Sequence, residues 1–302
     1  MQMIRELQKN GYLYLLALPG MIFLLIFAYV PMFGHLIAFK KFNIAKGIWG
    51  SPWVGFDNFK FFFGGDWLHI TINTLYLNAM FIVCGLGTSL LLAIFLNEIR
   101  LAFLKRICQS FVFMPYFISW LVVSFMTYAM FNTTGGLINK MLVRAGFEKV
   151  SWFSLAEAWP FILTILFVWK TAGYFSIIFL AAITSISSEY YESAKIDGAT
   201  RIQQIIHITL PLLRPTFIVL LLLQIGRIFY GDFGMIYGII GDNPILIPTT
   251  DVIDTYAYRA LRQIGNFSLS GAVVLYQAVM GLVTILIFNW IIRRIDKDSS
   301  LF

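Results

Sequence analysis

The sequence predicts an all-α, polytopic integral membrane protein with six transmembrane helices. Three observations carry this. Hydrophobic residues make up 59% of the chain and charged residues 12%, with a mean hydropathy of +0.80, whereas a soluble domain carries roughly 25% charged residues. The apolar residues gather in runs long enough to cross ~30 Å of hydrocarbon, which takes about 20 residues of helix. No period-two alternation marks a barrel, and a helix pairs its own backbone where lipid offers no partner. Residues 1–302 therefore read as a single transmembrane domain with no separate soluble one.

Four runs free of Asp, Glu, Lys and Arg supply four of the spans: Gly11–Phe39, Trp67–Asn97, Ile107–Asn139 and Gln263–Ile292. Two more carry isolated charges: Ala158–Ala182 holds Lys170, and Thr209–Gly231 holds Arg214 and Arg227. The first run is too long for the apolar core of a cleavable signal, so it reads as a retained span. Six spans put both termini on one side. The net charge of +7 and the basic residues Arg5, Lys9, Arg100, Lys105, Arg106, Lys195, Arg201, Arg293, Arg294 and Lys297 make that side the cytoplasm. Trp49, Trp53, Trp67 and Trp152 suit the headgroup level on the other side.

Several chemistries are not indicated. No G-x-x-x-x-G-K-[ST] phosphate loop occurs; Thr134-Gly135-Gly136 lacks the Lys-Ser/Thr that would follow. The chain is thus expected to bind no cofactor. His35, His69 and His207 stand at three different span edges and form no metal or catalytic group, and Cys84 and Cys108 read as packing residues. The sequons at Asn132 and Asn266 are of the frequency chance provides. No charge pattern suggests nucleic acid.

The segment Glu192–Pro211 is a polar stretch lodged between two apolar spans. Ser187 or Ser188 suits an N-cap, with Glu189 and Glu192 in the first turns, where the helix dipole favours anions. Gly198 can adopt a positive φ or let another backbone approach closely. Ala199–Ile208 reads as a second helix with Ile202, Ile205, Ile206 and Ile208 as an apolar stripe. Leu210-Pro211 is expected to end it. The product is a helix–Gly–helix knuckle outside the membrane.

Its spacing is specific. Glu192-Ser193-Ala194, three residues, Gly198, nine residues and Ile208-Thr209-Leu210-Pro211 resemble the "EAA" loop of membrane subunits of binding-protein-dependent ABC importers, with Ser193 where that family usually has Ala. Asp197-Gly198-Ala199 resembles its carbohydrate branch. Ala28-Tyr29-Val30-Pro31 through Val54-Gly55-Phe56-Asp57-Asn58-Phe59 resembles the subgroup importing oligosaccharides derived from polysaccharides such as alginate or oligogalacturonides. The resemblance spans essentially the whole chain and implies the type I ABC importer transmembrane architecture. It implies that residues 189–211 couple to an ATPase through Glu192, Ser193, Ala194, Asp197, Gly198, Ala199, Leu210 and Pro211. Glu192 would pair with a basic residue of that subunit, and the Tyr190, Tyr191 and Ala194 surface would pack into its cleft. It further implies a second, homologous permease subunit in a heterodimer, two ATP-binding cassette subunits using ATP and Mg²⁺, an extracytoplasmic solute-binding protein, and a place in the bacterial inner membrane. The chain itself is expected to be a permease and no enzyme.

Ionisable residues inside a span are functional candidates. Lys170 falls roughly 18 Å beyond Ala158, and Arg227 about 24 Å beyond Pro211, at 1.5 Å per residue. Two roles suit each cation. They can line an aqueous passage for an anionic oligosaccharide such as a uronate, with Gln224, Tyr230, Asp232, Asn78 and Trp169 as hydrogen-bonding or stacking neighbours. Alternatively, Lys170 pairs structurally with a carboxylate of a partner chain, and Arg227 pairs with Asp232 or reaches to the interface.

Overall fold

The computed structural model describes residues 10–295, so Arg5, Lys9 and Lys297 lie outside the described residues. Among these, regular structure is helical apart from one isolated bridge, Lys40 to Trp53. Four long apolar helices are unbroken by sharp bends: Gly11–Phe39, Trp67–Glu98, Ala156–Thr184 and Phe267–Arg294. Two further apolar helices are sharply bent: Ala102–Phe117 with Trp120–Phe131, at 96°, and Arg201–Leu212 with Arg214–Ile225, at 56°. Counting each bent pair once gives six spans, numbered below in chain order.

The bends correct two expectations. The run Ile107–Asn139 is not one straight helix. Pro115 tightens Met114–Phe117 into a 3₁₀ turn, Ile118 is extended (φ −73°, ψ 130°), and Ser119 caps a new helix through Val122 N–H. That helix ends at Phe131, and Leu137–Arg144 is a separate short one. Likewise Pro211 does not end the knuckle's second helix. A π turn over Ile205–Thr209, with Leu210 N–H bonded back to Ile205 O, precedes it, and the helix runs on through Leu212. The wider turn lets a ring that lacks an N–H sit in a continuing helix. The first span repeats the device, with a π turn over Leu25–Tyr29 two residues before Pro31.

The chain divides into two units, Met1–Trp67 with Ala257–Tyr276, and Leu68–Tyr256 with Gln277–Phe302. In the first, the segment after the opening span is pinned by polar contacts. Lys40 is buried and its ammonium donates to Ile48 O at 2.7 Å, while Asn58 Nδ2 donates to Ala38 O at 2.8 Å and Lys40 O at 3.1 Å. Trp49 and Trp53 are exposed beside it.

The second unit has two apolar cores. One joins Leu77, Phe81, Trp159, Leu163, Met235, Ile236, Leu246 and Val252; the other joins Leu86, Ala93, Leu96, Phe179, Ile183, Leu213 and Leu220. The fourth span sits close against the first half of the third. A Cβ on Gly173 would overlap the backbone carbonyl of Val112, so only glycine permits that approach. Gly87, by contrast, has nothing within 4 Å of a built Cβ. Gly173→Leu is therefore expected to abolish recovery of monodisperse protein in size-exclusion chromatography, whereas Gly87→Leu leaves the profile unchanged.

Candidate functional site

Two places in the second unit carry functional geometry: the knuckle between the fourth and fifth spans, and a polar cavity at the far end of the fifth.

The knuckle begins at Ser187, whose hydroxyl accepts from Glu189 N–H, and its first helix is Ser188–Ile196. Gly198 has φ +80°, as its place in the sequence predicts. Ala199 N–H returns to Ala194 O at 2.9 Å and Gly198 N–H to Lys195 O at 3.1 Å. That is the Schellman arrangement, in which a left-handed glycine closes a helix. One residue later Thr200 opens Arg201–Gln204 with a reciprocal capping box to Gln203. The Thr-x-x-Gln signature is legible in the sequence and explains why Ala199 alone suffices as a linker.

Around this joint Glu192, Ser193, Asp197 and Gly198 are exposed, with Ala194 and Ala199 half-buried, and Leu210 half-buried ahead of exposed Pro211. Tyr190, Ile196, Ile202 and Ile206 also face outward, Ile196 at 87% exposure. Tyr191 instead turns inward, its hydroxyl 2.9 Å from Thr209 Oγ1, so it braces the two helices against each other.

The cavity is about 340 Å³ and is lined by Asn78, Phe81, Ile82, Phe167, Gln224, Arg227, Tyr230, Gly231, Asp232 and Phe233. It exists because the fifth span unravels. The α-helix ends at Ile225, tight turns follow, and Asp232 caps the helix Phe233–Ile240 through Met235 N–H at 3.1 Å. Backbone groups freed by this break find side-chain partners. Asn78 Nδ2 donates to Ile228 O at 3.0 Å, Gln277 Nε2 to Phe229 O at 2.8 Å, and Gly231 N–H donates to Asp254 Oδ2 at 2.6 Å. Gln277 Nε2 also reaches Asp254 Oδ2 at 2.7 Å. Burial pushes the Asp254 carboxyl above the ordinary carboxylate range, while the hydrogen bonds from Gly231 and Gln277 pull the other way.

The structure thus brings together Asn78, Gln224, Arg227, Tyr230 and Asp232, and leaves Lys170 and Trp169 off the cavity wall. Lys170 is buried, its ammonium donating to Tyr116 O at 2.7 Å and lying 5.2 Å from the Trp120 ring and 5.4 Å from the Tyr116 ring. It satisfies the backbone where the third span breaks. Asp232 is committed too, accepting from Trp120 Nε1 at 2.6 Å as well as from Met235 N–H. Among the described residues no carboxylate lies within 4.0 Å of the Arg227 guanidinium, which is exposed on the cavity wall. The roles of Asp254 and Gln277 toward this break have no local sequence signal, since their partners are backbone atoms tens of positions away.

These features define a multi-span helical membrane protein with a helix–glycine–helix knuckle at one end of its fifth span and a polar cavity at the other. Residues 85–300 match the family described as the binding-protein-dependent transport system inner membrane component, and the chain belongs to that family. It is 39% identical to Protein LplB of Bacillus subtilis (strain 168), over 97% of this chain and 92% of that one. It is 38% identical to the polygalacturonan/rhamnogalacturonan transport system permease protein YteP of the same strain, over 99% and 92%. The crystal structure of a bacterial ABC transporter involved in the import of the acidic polysaccharide alginate contains a chain that superposes with a TM-score of 0.89 at 35% identity, covering 98% of this chain and 100% of that one. A second structure, of the bacterial alginate ABC transporter in complex with a periplasmic protein bound to alginate pentasaccharide, gives 0.89 at 34% identity over 98% and 99%. The architecture is that of a type I ABC importer membrane subunit, and the chain is a transport permease rather than an enzyme.

Two outcomes follow for the local geometry. Lys170→Ala strands the Tyr116 carbonyl, and the cost of about 1–3 kcal/mol for an unsatisfied buried group is expected as a lowered midpoint in thermal unfolding of the detergent-purified protein. Gly198→Val forces a branched residue into a left-handed conformation at roughly 1–2 kcal/mol. Its effect is expected as faster proteolysis confined to residues 188–212.

Proposed function

We propose that this chain is the membrane subunit through which an ABC importer carries acidic oligosaccharides of the uronate class across the bacterial cytoplasmic membrane, with both termini inside. The observation that carries the substrate class is Arg227. Among the described residues no carboxylate comes within 4.0 Å of its guanidinium, which stands on a cavity wall with Gln224, Asn78, Tyr230 and Asp232. An ionised donor recognises carboxylates at about twice the strength of a neutral one, the amides and phenol suit sugar hydroxyls, and the Tyr230 ring suits a sugar face. The relatives whose names state polygalacturonan, rhamnogalacturonan and alginate support the same class.

In this reading the knuckle is the ATPase-coupling element. Exposed Glu192 pairs with a basic group of an ATP-binding cassette subunit, Ser193, Ala194, Asp197 and Ala199 fill its cleft, and the Gly198 joint keeps the helices at a set angle. Leu210 and Pro211 carry the displacement into the fifth span. The arrangement Arg201–Leu212, bent by 56° into Arg214–Ile225, makes knuckle and cavity two ends of one interrupted helix. Two cassette subunits supply hydrolysis of ATP with Mg²⁺, a homologous second permease completes a heterodimer, and a solute-binding protein delivers the sugar from outside.

The test is ATPase stimulation and uptake by the assembled importer with its binding protein, titrated with uronate and neutral tetrasaccharides. Uronates are expected to stimulate. Arg227→Ala is expected to lower uronate uptake by about tenfold or more, the equivalent of one charge-assisted contact, with basal hydrolysis within about twofold. Stimulation by neutral tetrasaccharides alone overturns the acidic assignment. For the coupling role, Gly198→Asp and Glu192→Ala are expected to lose the cassette subunit on copurification; retention of both subunits and of normal uptake counts against it.

A further inference from the structure

The cavity-lining residues Arg227, Tyr230, Gly231 and Asp232 sit on backbone that no helix holds. Between Ile225 and Phe233 the turns leave Ile228 O, Phe229 O and Gly231 N–H without helical partners, and all three are taken by side chains from elsewhere. Two of the three donors and acceptors lie outside the cavity lining. Asp254 stands at the start of the helix Ile253–Arg262, and Gln277 lies within the sixth span. A single oxygen, Asp254 Oδ2, accepts from both Gly231 N–H and Gln277 Nε2, and Gln277 uses the same nitrogen on Phe229 O.

Packing reinforces the clamp. A Cβ on Gly231 would stand 2.6 Å from Val252 Cγ2 and 3.1 Å from Asp254 Oδ2, and a Cβ on Gly281 would stand 3.2 Å from Tyr230 Cε2. The glycines let the turn press against the residues that bind it. Non-helical backbone at this depth is stable only when its polar groups are paired within the protein or face water.

We propose that Asp254 and Gln277 are positioning residues for solute passage: as one hydrogen-bonded clamp on Phe229 O and Gly231 N–H, they set where Tyr230 and Arg227 stand in the cavity without touching the solute. The inference rests on reading the cavity as the passage. It follows that the clamp needs an acceptor at position 254 rather than a charge, because an amide oxygen offers the same two lone pairs. Asp254→Asn keeps the acceptor; Asp254→Ala removes it.

The test has two arms on the assembled importer. In hydrogen exchange, Asp254→Ala is expected to speed exchange of the amides at 227–232 by about tenfold, the loss of one well-made hydrogen bond. Residues 188–212 keep the parent rate, and Asp254→Asn returns the turn toward it. In uptake of a uronate tetrasaccharide, or of a neutral tetrasaccharide where that is the sugar transported, Asp254→Ala and Arg227→Ala are each expected to lower uptake, and their combination to lower it little further. Unchanged exchange at 227–232, or losses that multiply in the double variant, overturns the proposal. An Arg227→Ala variant with full uptake removes the cavity reading and this proposal with it, while the exchange arm still reports whether Asp254 orders the turn. If Asp254→Ala does not assemble, Gln277→Met removes the shared donor at similar volume and serves in both arms.

Discussion

A backbone amide or carbonyl in hydrocarbon has no water to turn to, and the architecture of this protein depends on that constraint. Helices answer it along most of the chain. Where a span must break, the freed groups need side chains, and four polar residues of the second unit supply them. Lys170 serves the Tyr116 carbonyl where the third span turns by 96°. Asn78, Gln277 and Asp254 serve the unravelled end of the fifth. A charged or amide side chain within a span is thus as much a repair of the backbone as a contact for solute, and geometry separates the two uses. Lys170 is spent on the repair, whereas among the described residues no carboxylate lies within 4.0 Å of the Arg227 guanidinium.

The fifth span joins the two functional places. At one end it is the second helix of the knuckle, held rigid by the Schellman turn at Gly198, the capping box of Thr200 and Gln203, and the Tyr191–Thr209 contact. At the other it dissolves into the turns that carry Arg227 and Tyr230. The bend at Leu213, with Leu213 itself in an apolar core, separates the two halves. A π turn before Pro211 absorbs the proline without ending the helix, which continues through Leu212.

Much of this was legible in the residues. Six apolar stretches, a cap at Ser187 or Ser188, a glycine at 198 able to take a positive φ, and the spacing from Glu192 to Pro211 are local or near-local properties, because helix propensity, capping and turn chemistry act over a few positions. The same locality misled at two prolines. Pro211 signals a stop in isolation, yet a π turn carries the helix past it, and Pro115 sits inside an apolar run that gives no sign of a sharp turn. Lys170 by its depth and Trp169 by its stacking face read as passage neighbours, and neither lines this cavity, because depth and residue type do not say which way a side chain faces.

Composition and spacing by themselves determined that the chain spans a membrane through helices and bears a helix–Gly–helix knuckle, whose residues resemble those of a particular transport family, since these rest on patterns within a few turns of chain. Only the tertiary structure decided which polar residues meet. Gly231 meets Asp254 across 23 positions, Asp254 meets Gln277 across another 23, Gln277 meets Phe229 across 48, and Trp120 meets Asp232 across 112. No periodicity encodes such pairings. They follow from how the broken spans pack and from the need to pair the backbone groups that the breaks free.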